Sequence, residues 1–327
     1  MLPPRLSLAS RPTPLQPLER LSAQLGGPTI WVKRDDLTGS VLSGNKVRKL
    51  EFTLAEAQAL GCDTIITCGG LQSNHCRATA LLCAQLGFRC ILVLRGETAP
   101  PFDGNLLLDW LAGAEIRRYP VEVYQHQLSL LLKQAAQDCT VAGGKPFVIP
   151  TGASDGIGVW GYIAACEELR ADFLTQGIAP KHIVCATGSG GTQAGLSAGV
   201  ALYGIDTTVW GVAVCDDAAY FQRKVRADLD DWQQRYNTTL ALDSVPIRVL
   251  DNYVGPGYAK AGAEVFDTIK LAARLEGLVL DPVYTGKAFH ALIEELKAGR
   301  FDDSNDVVFI HTGGVFGLFP QRDQFDF

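Results

Sequence analysis

The sequence lacks long apolar runs and has no excess of positive charge. None of its hydrophobic stretches is long enough to cross a bilayer, and the prolines of residues 1–15 oppose both a helix and a signal-peptide core. The net charge of −6 leaves no global basic field to hold nucleic acid or an acidic membrane surface. We therefore expect a cytoplasmic protein with neither a membrane nor a nucleic-acid partner.

The cysteines lack a pairing pattern. There are nine, an odd number, and no two are spaced as CxxC, so neither a zinc site nor a thioredoxin-type pair is indicated. Most lie in apolar stretches, namely Cys68, Cys83, Cys90, Cys166, Cys185 and Cys215. We expect buried free thiols in a reducing compartment, and no metal site.

What the sequence does contain is a regular alternation of strand and helix patterns. Its 327 residues exceed the usual size of one compact core, so two domains are expected. Strands are predicted at Ile30–Lys33, Thr64–Cys68, Arg89–Leu94, Phe147–Ile149, Ile183–Ala186, Val209–Val214 and Val307–Ile310. Helices are predicted from Asn45 to Gly61, at Asn74–Leu86, Asn105–Leu111 and Thr192–Leu202, and as a solvated charged helix at Arg223–Arg235. This alternation predicts an α/β fold with mostly parallel sheets and helices on both faces.

Two glycine-containing turns follow predicted strands, where ligands bind in α/β proteins. Thr187-Gly188-Ser189-Gly190-Gly191-Thr192 suits one phosphate group, because backbone N–H groups and a helix N-terminus converge there. It has neither the lysine of a nucleoside-triphosphate loop nor the GxGxxG spacing of a dinucleotide site. Alone, it is equally compatible with an ordinary glycine turn.

In the second turn, Gly69 to His75, Ser73 and Asn74 stand at a helix N-terminus. Helix capping explains one of them, but the run of Gln, Ser, Asn and His favours carboxylate binding by Ser73 and the turn amides.

A third turn, Ser43-Gly44-Asn45-Lys46, places a lysine in the first turn of a helix. The helix dipole disfavours a cation there, and partial burial would lower the amine pKa as Schiff-base chemistry requires. Lys33 and Lys49 compete for the role. Lys49, beside Arg48, is predicted to lie on a solvated face.

The three turns together supply a Schiff-base amine, a partner for a ring hydroxyl and an anion holder, which are the parts of a pyridoxal-phosphate site. In chain order, KRDDLTGSVLSGNKVRKLEF, CGGLQSNHCRATA, ATGSGGTQAG, LDPVYTGKA and HTGG resemble the fold-type II family that includes D-cysteine desulfhydrase and 1-aminocyclopropane-1-carboxylate (ACC) deaminase. These segments extend from about residue 33 to 314.

The resemblance implies a fold and an assembly. The fold would be tryptophan-synthase-β-like, with two domains built on open, mostly parallel twisted sheets. Residues 1–49 and 161–327 would form the large cofactor domain, and residues 50–160 the small one. A homodimer acting on a small amino acid is the family expectation.

The resemblance also implies residue roles. Lys46 would carry pyridoxal 5′-phosphate and remove the α-proton, Asn74 would bond the ring oxygen and Ser73 would hold the substrate carboxylate. The phosphate would be held by Thr187, Gly188, Ser189, Gly190, Gly191 and Thr192. Tyr258 and Tyr284 match the two active-site tyrosines of the family, and His75 and Thr285 would also face the substrate.

Two positions indicate the reaction. ACC deaminases typically carry glutamate where Thr285 stands and leucine where Thr312 stands. A hydroxyl partner for the ring nitrogen, expected from Thr312, favours a neutral pyridine. A neutral ring suffices for β-elimination of thiolate, so the sequence favours D-cysteine desulfhydrase activity.

Four alternatives stay open at this point. L-cysteate sulfo-lyases and ACC deaminases share these motifs. A non-catalytic pyridoxal-phosphate-binding regulatory protein would need no intact base or tyrosine pair. A phosphosugar or nucleotide enzyme would lack the yellow colour of bound pyridoxal phosphate.

Overall fold

The computed structural model describes residues 2–96 and 101–326, and this part of the chain confirms the α/β class. The described strands are β1 (Leu15–Pro17), β2 (Thr29–Lys33), β3 (Thr64–Gly70), β4 (Arg89–Arg95), β5 (Glu115–Tyr119), β6 (Pro146–Val148), β7 (His182–Thr187), β8 (Thr208–Ala213), β9 (Arg248–Leu250) and β10 (Asp306–Ile310). All seven predicted strands are present. They could be recognised because buried parallel strands have short, continuous apolar sequences.

The α-helices of the described residues pack on these strands. They are α1 (Glu19–Leu25), α2 (Asn45–Ala59), α3 (Asn74–Leu86), α4 (Gly104–Leu111), α5 (Val121–Val141), α6 (Trp160–Gln176), α7 (Gly191–Leu202), α8 (Ala218–Tyr236), α9 (Ala263–Glu276) and α10 (Thr285–Lys297). Of these, α1, α5, α6, α9 and α10 have no counterpart among the predicted helices. No helix in residues 2–96 or 101–326 is long and apolar enough to cross a membrane.

The strands form two sheets. The larger has the order β1-β2-β10-β7-β8-β9 and is parallel except for β1, which pairs antiparallel with β2. The smaller has the order β5-β4-β3-β6 and is parallel throughout. Strand order reverses between β7 and β10 in the large sheet and between β3 and β6 in the small one. Such reversals open a crevice at the carboxyl ends of the strands.

Helices cover both faces of each sheet, as predicted. On the large sheet, Leu21, Ile269 and Phe289 of α1, α9 and α10 share one core, and α6 and α7 cover the other face. On the small sheet, α2 and α3 lie on one face and α5 on the other. Because the faces of both sheets are covered, the crevices at the carboxyl ends of the strands are the places where a ligand could bind.

Two expectations about burial need correction. The predicted solvated helix at 223–235 lies inside α8, but Phe221, Val225, Leu229 and Trp232 are buried. Their helical spacing forms an apolar stripe under the charged face. The nine cysteines are free thiols as expected, and seven are buried, whereas Cys62 and Cys215 are only half-buried.

Candidate active site

One cavity of about 390 Å³ opens where the two crevices face each other. Its wall includes Gly70, Ser73 and Asn74 after β3, and Thr151 after β6. The large sheet contributes the turn after β7 and Thr312 after β10. The predicted turns thus meet at one place, because both sheets present the carboxyl ends of their strands to it.

The start of α2 carries Lys46 into this cavity. Gly44 precedes the helix with φ of 108°, and a Cβ there would lie 2.6 Å from the backbone oxygen of Thr312. The backbone N–H of Asn45 donates to the same oxygen at 3.2 Å. Only glycine permits this conformation and this close approach, so Gly44 fixes the entry of α2 against the turn after β10.

Lys46 has the environment of a reactive amine. Its Nζ donates to Oδ1 of Asn45 at 2.9 Å and lies 5.9 Å from the centre of the Tyr284 ring. Burial and the charge of Arg77 lower the pKa of Lys46 to about 8, against the opposing charge of Asp281. About a tenth of the amine is therefore uncharged at pH 7, far more than for an ordinary lysine.

Ser73 and Asn74 form the wall above β3. The Oγ of Ser73 accepts from the backbone N–H of Cys76 at 3.2 Å, so Ser73 caps α3 and lines the cavity at the same time. The Oδ1 of Asn74 accepts from Nδ2 of Asn105 at 3.0 Å. With its oxygen engaged, the amide of Asn74 has its N–H₂ left to donate. Asn105, fully buried, was not predicted as a site residue.

His75 lines the cavity as a neutral imidazole. The hydroxyl of Thr67 donates to the backbone oxygen of Ile149 at 2.9 Å, so it accepts from Nε2 of His75 at 2.8 Å. Burial, with the charges of Lys46 and Lys49, keeps the pKa of His75 well below its ordinary value. Its Nδ1 is buried and has no hydrogen-bond partner among the described residues.

The turn after β7, which the sequence predicts to hold a phosphate, lines the same cavity as Lys46. Thr187, Gly188, Ser189, Gly190 and Thr192 line the cavity. Thr192 accepts from Nδ2 of Asn45 at 2.8 Å, which ties this turn to Lys46. Gly191 lies just behind the wall, where its N–H donates to Oγ of Ser154 at 3.1 Å.

Lys49 is not on a solvated face, and that prediction was wrong. It is 1% exposed, and its Nζ donates to the backbone oxygen of Gly152 at 2.5 Å and to Oγ of Ser154 at 3.0 Å. It forms no ion pair with a carboxylate of the described chain, and a Cβ on Gly191 would lie 2.6 Å from its Nζ. Burial and the charge of Lys46 lower the pKa of Lys49 well below its ordinary value. A phosphate bound at the N-terminus of α7 would favour the charged form of this lysine.

Two tyrosines meet on the opposite wall. Their hydroxyls, of Tyr258 and Tyr284, are 2.6 Å apart. Burial raises the pKa of both phenols, so both stay protonated at neutral pH. The guanidinium of Arg95 lies 4.6 Å from the centre of the Tyr258 ring and also lines the cavity.

The two threonines that were expected to indicate the reaction lie in different places. Thr312 lines the cavity, and its hydroxyl has no hydrogen bond to a described residue. Thr285 does not line the cavity. It is fully buried, and its hydroxyl donates to Oδ1 of Asp281 at 2.7 Å and accepts from the N–H of Asp281 at 2.9 Å. The prediction that Thr285 faces the substrate is therefore not supported by its position, since Thr285 lies behind the cavity wall.

Several wall residues were not predicted. They are Arg95, Tyr124, Gln125, Thr151, Gly152, Cys215, Asp216 and Tyr220. Thr151 follows β6 as Ser73 follows β3, so the same rule of polar residues after a buried strand would have found it. Tyr124, inside α5, carries no comparable sequence signal.

The fold and these parts define a pyridoxal-phosphate enzyme of the type with two parallel sheets. Residues 6–313 match the family model described as "Pyridoxal-phosphate dependent enzyme", and the chain belongs to this family. A bifunctional D-cysteine desulfhydrase/1-aminocyclopropane-1-carboxylate deaminase of Arabidopsis thaliana is 41% identical, over 97% of this chain and 80% of that protein. A D-cysteine desulfhydrase of Salmonella newport is 40% identical, over 97% and 95%. A solved ACC deaminase homologue superposes with a TM-score of 0.90 at 36% identity, covering 98% of this chain and 95% of that one.

The residues present fit the cofactor, pyridoxal 5′-phosphate. Lys49 is a buried lysine beside a glycine turn and forms no ion pair with a described carboxylate, so a bound phosphate would supply the anion that favours its charged form. Lys46 supplies the amine, Asn74 a free amide donor and Thr312 a free hydroxyl. When bound, the cofactor supplies an electron sink for the pair left on a substrate α-carbon.

Proposed function

We propose that this enzyme eliminates hydrogen sulfide from D-cysteine, with water giving pyruvate and ammonia. The observation that carries the proposal is the hydroxyl of Thr312 at the cavity wall, in the place of a carboxylate or an apolar side chain. Asp216 is the one carboxylate among the described wall residues, and it is exposed after β8. Asp216 follows β8 and Thr312 follows β10, and β7 lies between these two strands.

The hydroxyl of Thr312 differs from a carboxylate in carrying no negative charge. It can hydrogen-bond a neutral ring nitrogen, whereas a carboxylate would keep that nitrogen protonated. A neutral ring is the weaker electron sink. Expulsion of thiolate relieves the negative charge quickly and tolerates such a sink, but opening of an unactivated cyclopropane does not. The wall therefore favours the desulfhydrase activity over the deaminase activity named for the Arabidopsis relative.

Lys46 and Ser73 would handle the substrate. The uncharged amine of Lys46 would take the α-proton, since its lowered pKa matches proton transfer near neutral pH. The hydroxyl of Ser73 and the N–H groups of the turn after β3 would hold the α-carboxylate at the N-terminus of α3, where the helix dipole favours an anion.

The tyrosine pair would serve the leaving group. Both phenols are protonated, and the 2.6 Å hydrogen bond leaves one hydroxyl proton of the pair free to point into the cavity. A phenol placed there would donate a proton to the departing sulfur, which would leave as hydrosulfide rather than as a poorly solvated dianion.

A substrate panel on the native holoenzyme tests the proposal. The substrates are D- and L-cysteine, β-chloroalanine, L-cysteate and ACC, with pyruvate, α-ketobutyrate, sulfide and sulfite as the measured products. We expect pyruvate and sulfide from D-cysteine and little α-ketobutyrate. A larger kcat/KM for ACC than for D-cysteine would show that the hydroxyl argument is wrong.

Thr312→Val is the matched variant for this argument. It removes the hydroxyl and keeps the shape, so D-cysteine elimination should fall while cofactor phosphate binding is retained. Replacing Thr285 with glutamate is a poor test, because a second carboxylate would be buried beside Asp281.

Two further parts of the expectation stay proposals. A homodimer, which the family resemblance suggests, is tested by the mass of the holoenzyme in solution. The nine free thiols support a reducing compartment such as the cytoplasm.

A further inference from the structure

Lys287 is a fully buried lysine with an unusual set of partners. Its Nζ donates to three backbone oxygens, of Val254 at 2.7 Å, Gly257 at 2.8 Å and Val214 at 3.3 Å. No carboxylate of the described residues lies within ion-pair distance of it. A charged ammonium is therefore held by carbonyl groups alone.

Burying a charged lysine at this position costs free energy, for two reasons. Lys287 is the third residue of α10, where the helix dipole disfavours a cation. Three donated hydrogen bonds require the charged –NH₃⁺ form, since a neutral amine has only two N–H groups. Burial lowers the pKa of Lys287 to about 8, with Cys215 and Asp281 opposing, so the charged form persists at neutral pH. The side chain occupies a carbonyl cage of the kind that otherwise holds a monovalent cation.

The cage is built largely from the loop that carries Tyr258. Residues 251–262, between β9 and α9, contain no helix or strand. Gly257 and Ala259, on either side of Tyr258, have φ of 124° and 59°. A non-glycine residue in this region is strained and needs support from its surroundings.

Apart from the contacts of Tyr258 itself, the other side-chain hydrogen bonds of this loop among the described residues lie near its beginning. Asp251 accepts from the N–H of Ala218, and Tyr253 donates to Glu295 at 2.8 Å. Lys287 holds Gly257, directly before Tyr258. It also lies three residues after Tyr284, so one side chain connects the positions of both tyrosines.

We propose that Lys287 is a positioning residue that sets Tyr258 against Tyr284 by holding the 254–257 backbone to the start of α10. The effect of Lys287 on turnover rests on the proposed role of the tyrosine pair. The effect of Lys287 on the stability of the loop is independent of that role, and the two effects are measured in separate experiments.

Amide hydrogen exchange of the holoenzyme tests the loop directly and needs no substrate. Lys287→Met keeps the length of the side chain and removes all three donors, so exchange in residues 252–260 should accelerate at least about tenfold. Lys297→Met is the matched control, because Lys297 lies on the same helix, is exposed and, among the described residues, pairs only with Glu294 at 2.8 Å. Unchanged exchange in 252–260, or equal acceleration in the control, would overturn the proposal. If the methionine variant does not fold, Lys287→Gln replaces it. Glutamine keeps two N–H donors, so exchange in residues 252–260 should still accelerate, but by a smaller factor.

A double-mutant cycle tests the link to Tyr258. Lys287→Met should lower kcat at least about tenfold in the native background and by less than about twofold in a Tyr258→Phe background. Equal losses in both backgrounds would show that Lys287 acts on the fold alone and would overturn the positioning role. The two proposals can fail separately. If Lys287→Met shows faster loop exchange but the native enzyme does not turn over D-cysteine, the proposed substrate is wrong and the proposed loop contact is retained.

Discussion

Three lysines have lowered pKa values here, of which Lys49 and Lys287 are buried and Lys46 is half-buried, and their surroundings separate them. Lys46 is the one lysine among the described wall residues of the cavity. Lys49 lies behind the glycine turn, and Lys287 lies in a carbonyl cage. Burial alone therefore does not identify a catalytic amine. The accompanying contacts do.

The pKa of Lys46 makes a prediction about cofactor uptake. Only the uncharged amine attacks an aldehyde, so the rate at which the apoenzyme takes up pyridoxal phosphate should rise about tenfold per pH unit below pH 8 and level off above it. An unperturbed lysine would go on rising toward pH 10.5. Stopped-flow absorbance from pH 6 to pH 10 gives the profile. A plateau only above pH 10 would contradict the environment described for Lys46.

Ser73 has two functions that one variant can separate. Ser73→Ala should raise KM for D-cysteine by an amount equivalent to roughly 1.5–3 kcal/mol, the value of a hydrogen bond to a charged group. The lost helix cap should separately lower the free energy of unfolding by about 1 kcal/mol. Steady-state kinetics and thermal unfolding measure the two effects. Ser73→Thr, which keeps the hydroxyl, is the control, and an unchanged KM in the alanine variant would remove Ser73 from the substrate site.

At the scale of the element, α2 is held by ion pairs that also place Lys46. Arg48 donates to Asp35 at 2.7 and 2.9 Å and to Glu168 of α6 at 3.1 Å. Tyr162 donates to the same aspartate at 2.6 Å. Because Lys46 and Arg48 are on the same helical turn, a shift of this network would displace the cavity amine.

Glu168 gives this network a pH signature. Burial raises its pKa, but hydrogen bonds and charge from Arg48 and Lys33 outweigh burial and lower the pKa to about 2. A carboxylate with a lowered pKa stabilises the fold above its unfolded value of about 4.5, and that stability is lost as pH falls toward 2. Denaturant unfolding between pH 6 and pH 3 should therefore show a decline that Glu168→Gln reduces. Glu167→Gln, on the exposed face of the same helix, should leave it intact, and equal curves for both variants would count against the network.

The sequence predicted elements better than environments. The helix predicted at Asn74–Leu86 has those bounds, since Ser73 caps it and Gly87 ends it in the left-handed conformation. Lys49 was misplaced because charged neighbours suggested a solvated face. Those neighbours, Arg48 and Glu51, are themselves buried by partners far away in sequence, at Glu168 and residues 8–9. Contacts with residues so distant in the sequence cannot be inferred from the local pattern of charged and apolar residues.

The missed helices have a related cause. The first half of α6 is mostly buried, with Trp160, Tyr162, Ile163 and Cys166 facing different neighbours, so its sequence shows no clear apolar stripe. The pairing of Tyr258 with Tyr284 likewise depends on how a loop folds against a helix. Their roles were inferred from resemblance to a family, and their 2.6 Å contact is visible only in three dimensions.

At the scale of the whole molecule, two sheets share one cavity. The small sheet contains strands between Thr64 and Val148, and all other strands belong to the large one. We propose domain boundaries at residues 49/50 and 160/161, which place the first within α2. Val47 and Leu50 pack with the core of the small sheet, while Arg48 is bound to the large domain. The helix that carries Lys46 thus joins the two domains.

The most direct measurement is the position of the covalent cofactor link. Reduction of the holoenzyme with borohydride, followed by peptide mass spectrometry, fixes pyridoxal phosphate to whichever lysine bears it. We predict label on Lys46, with Lys46→Ala taking up none and losing turnover while remaining folded. Label on Lys49 or Lys287 would contradict the site as described, because both are buried lysines with lowered pKa values that this structure places outside the reacting position.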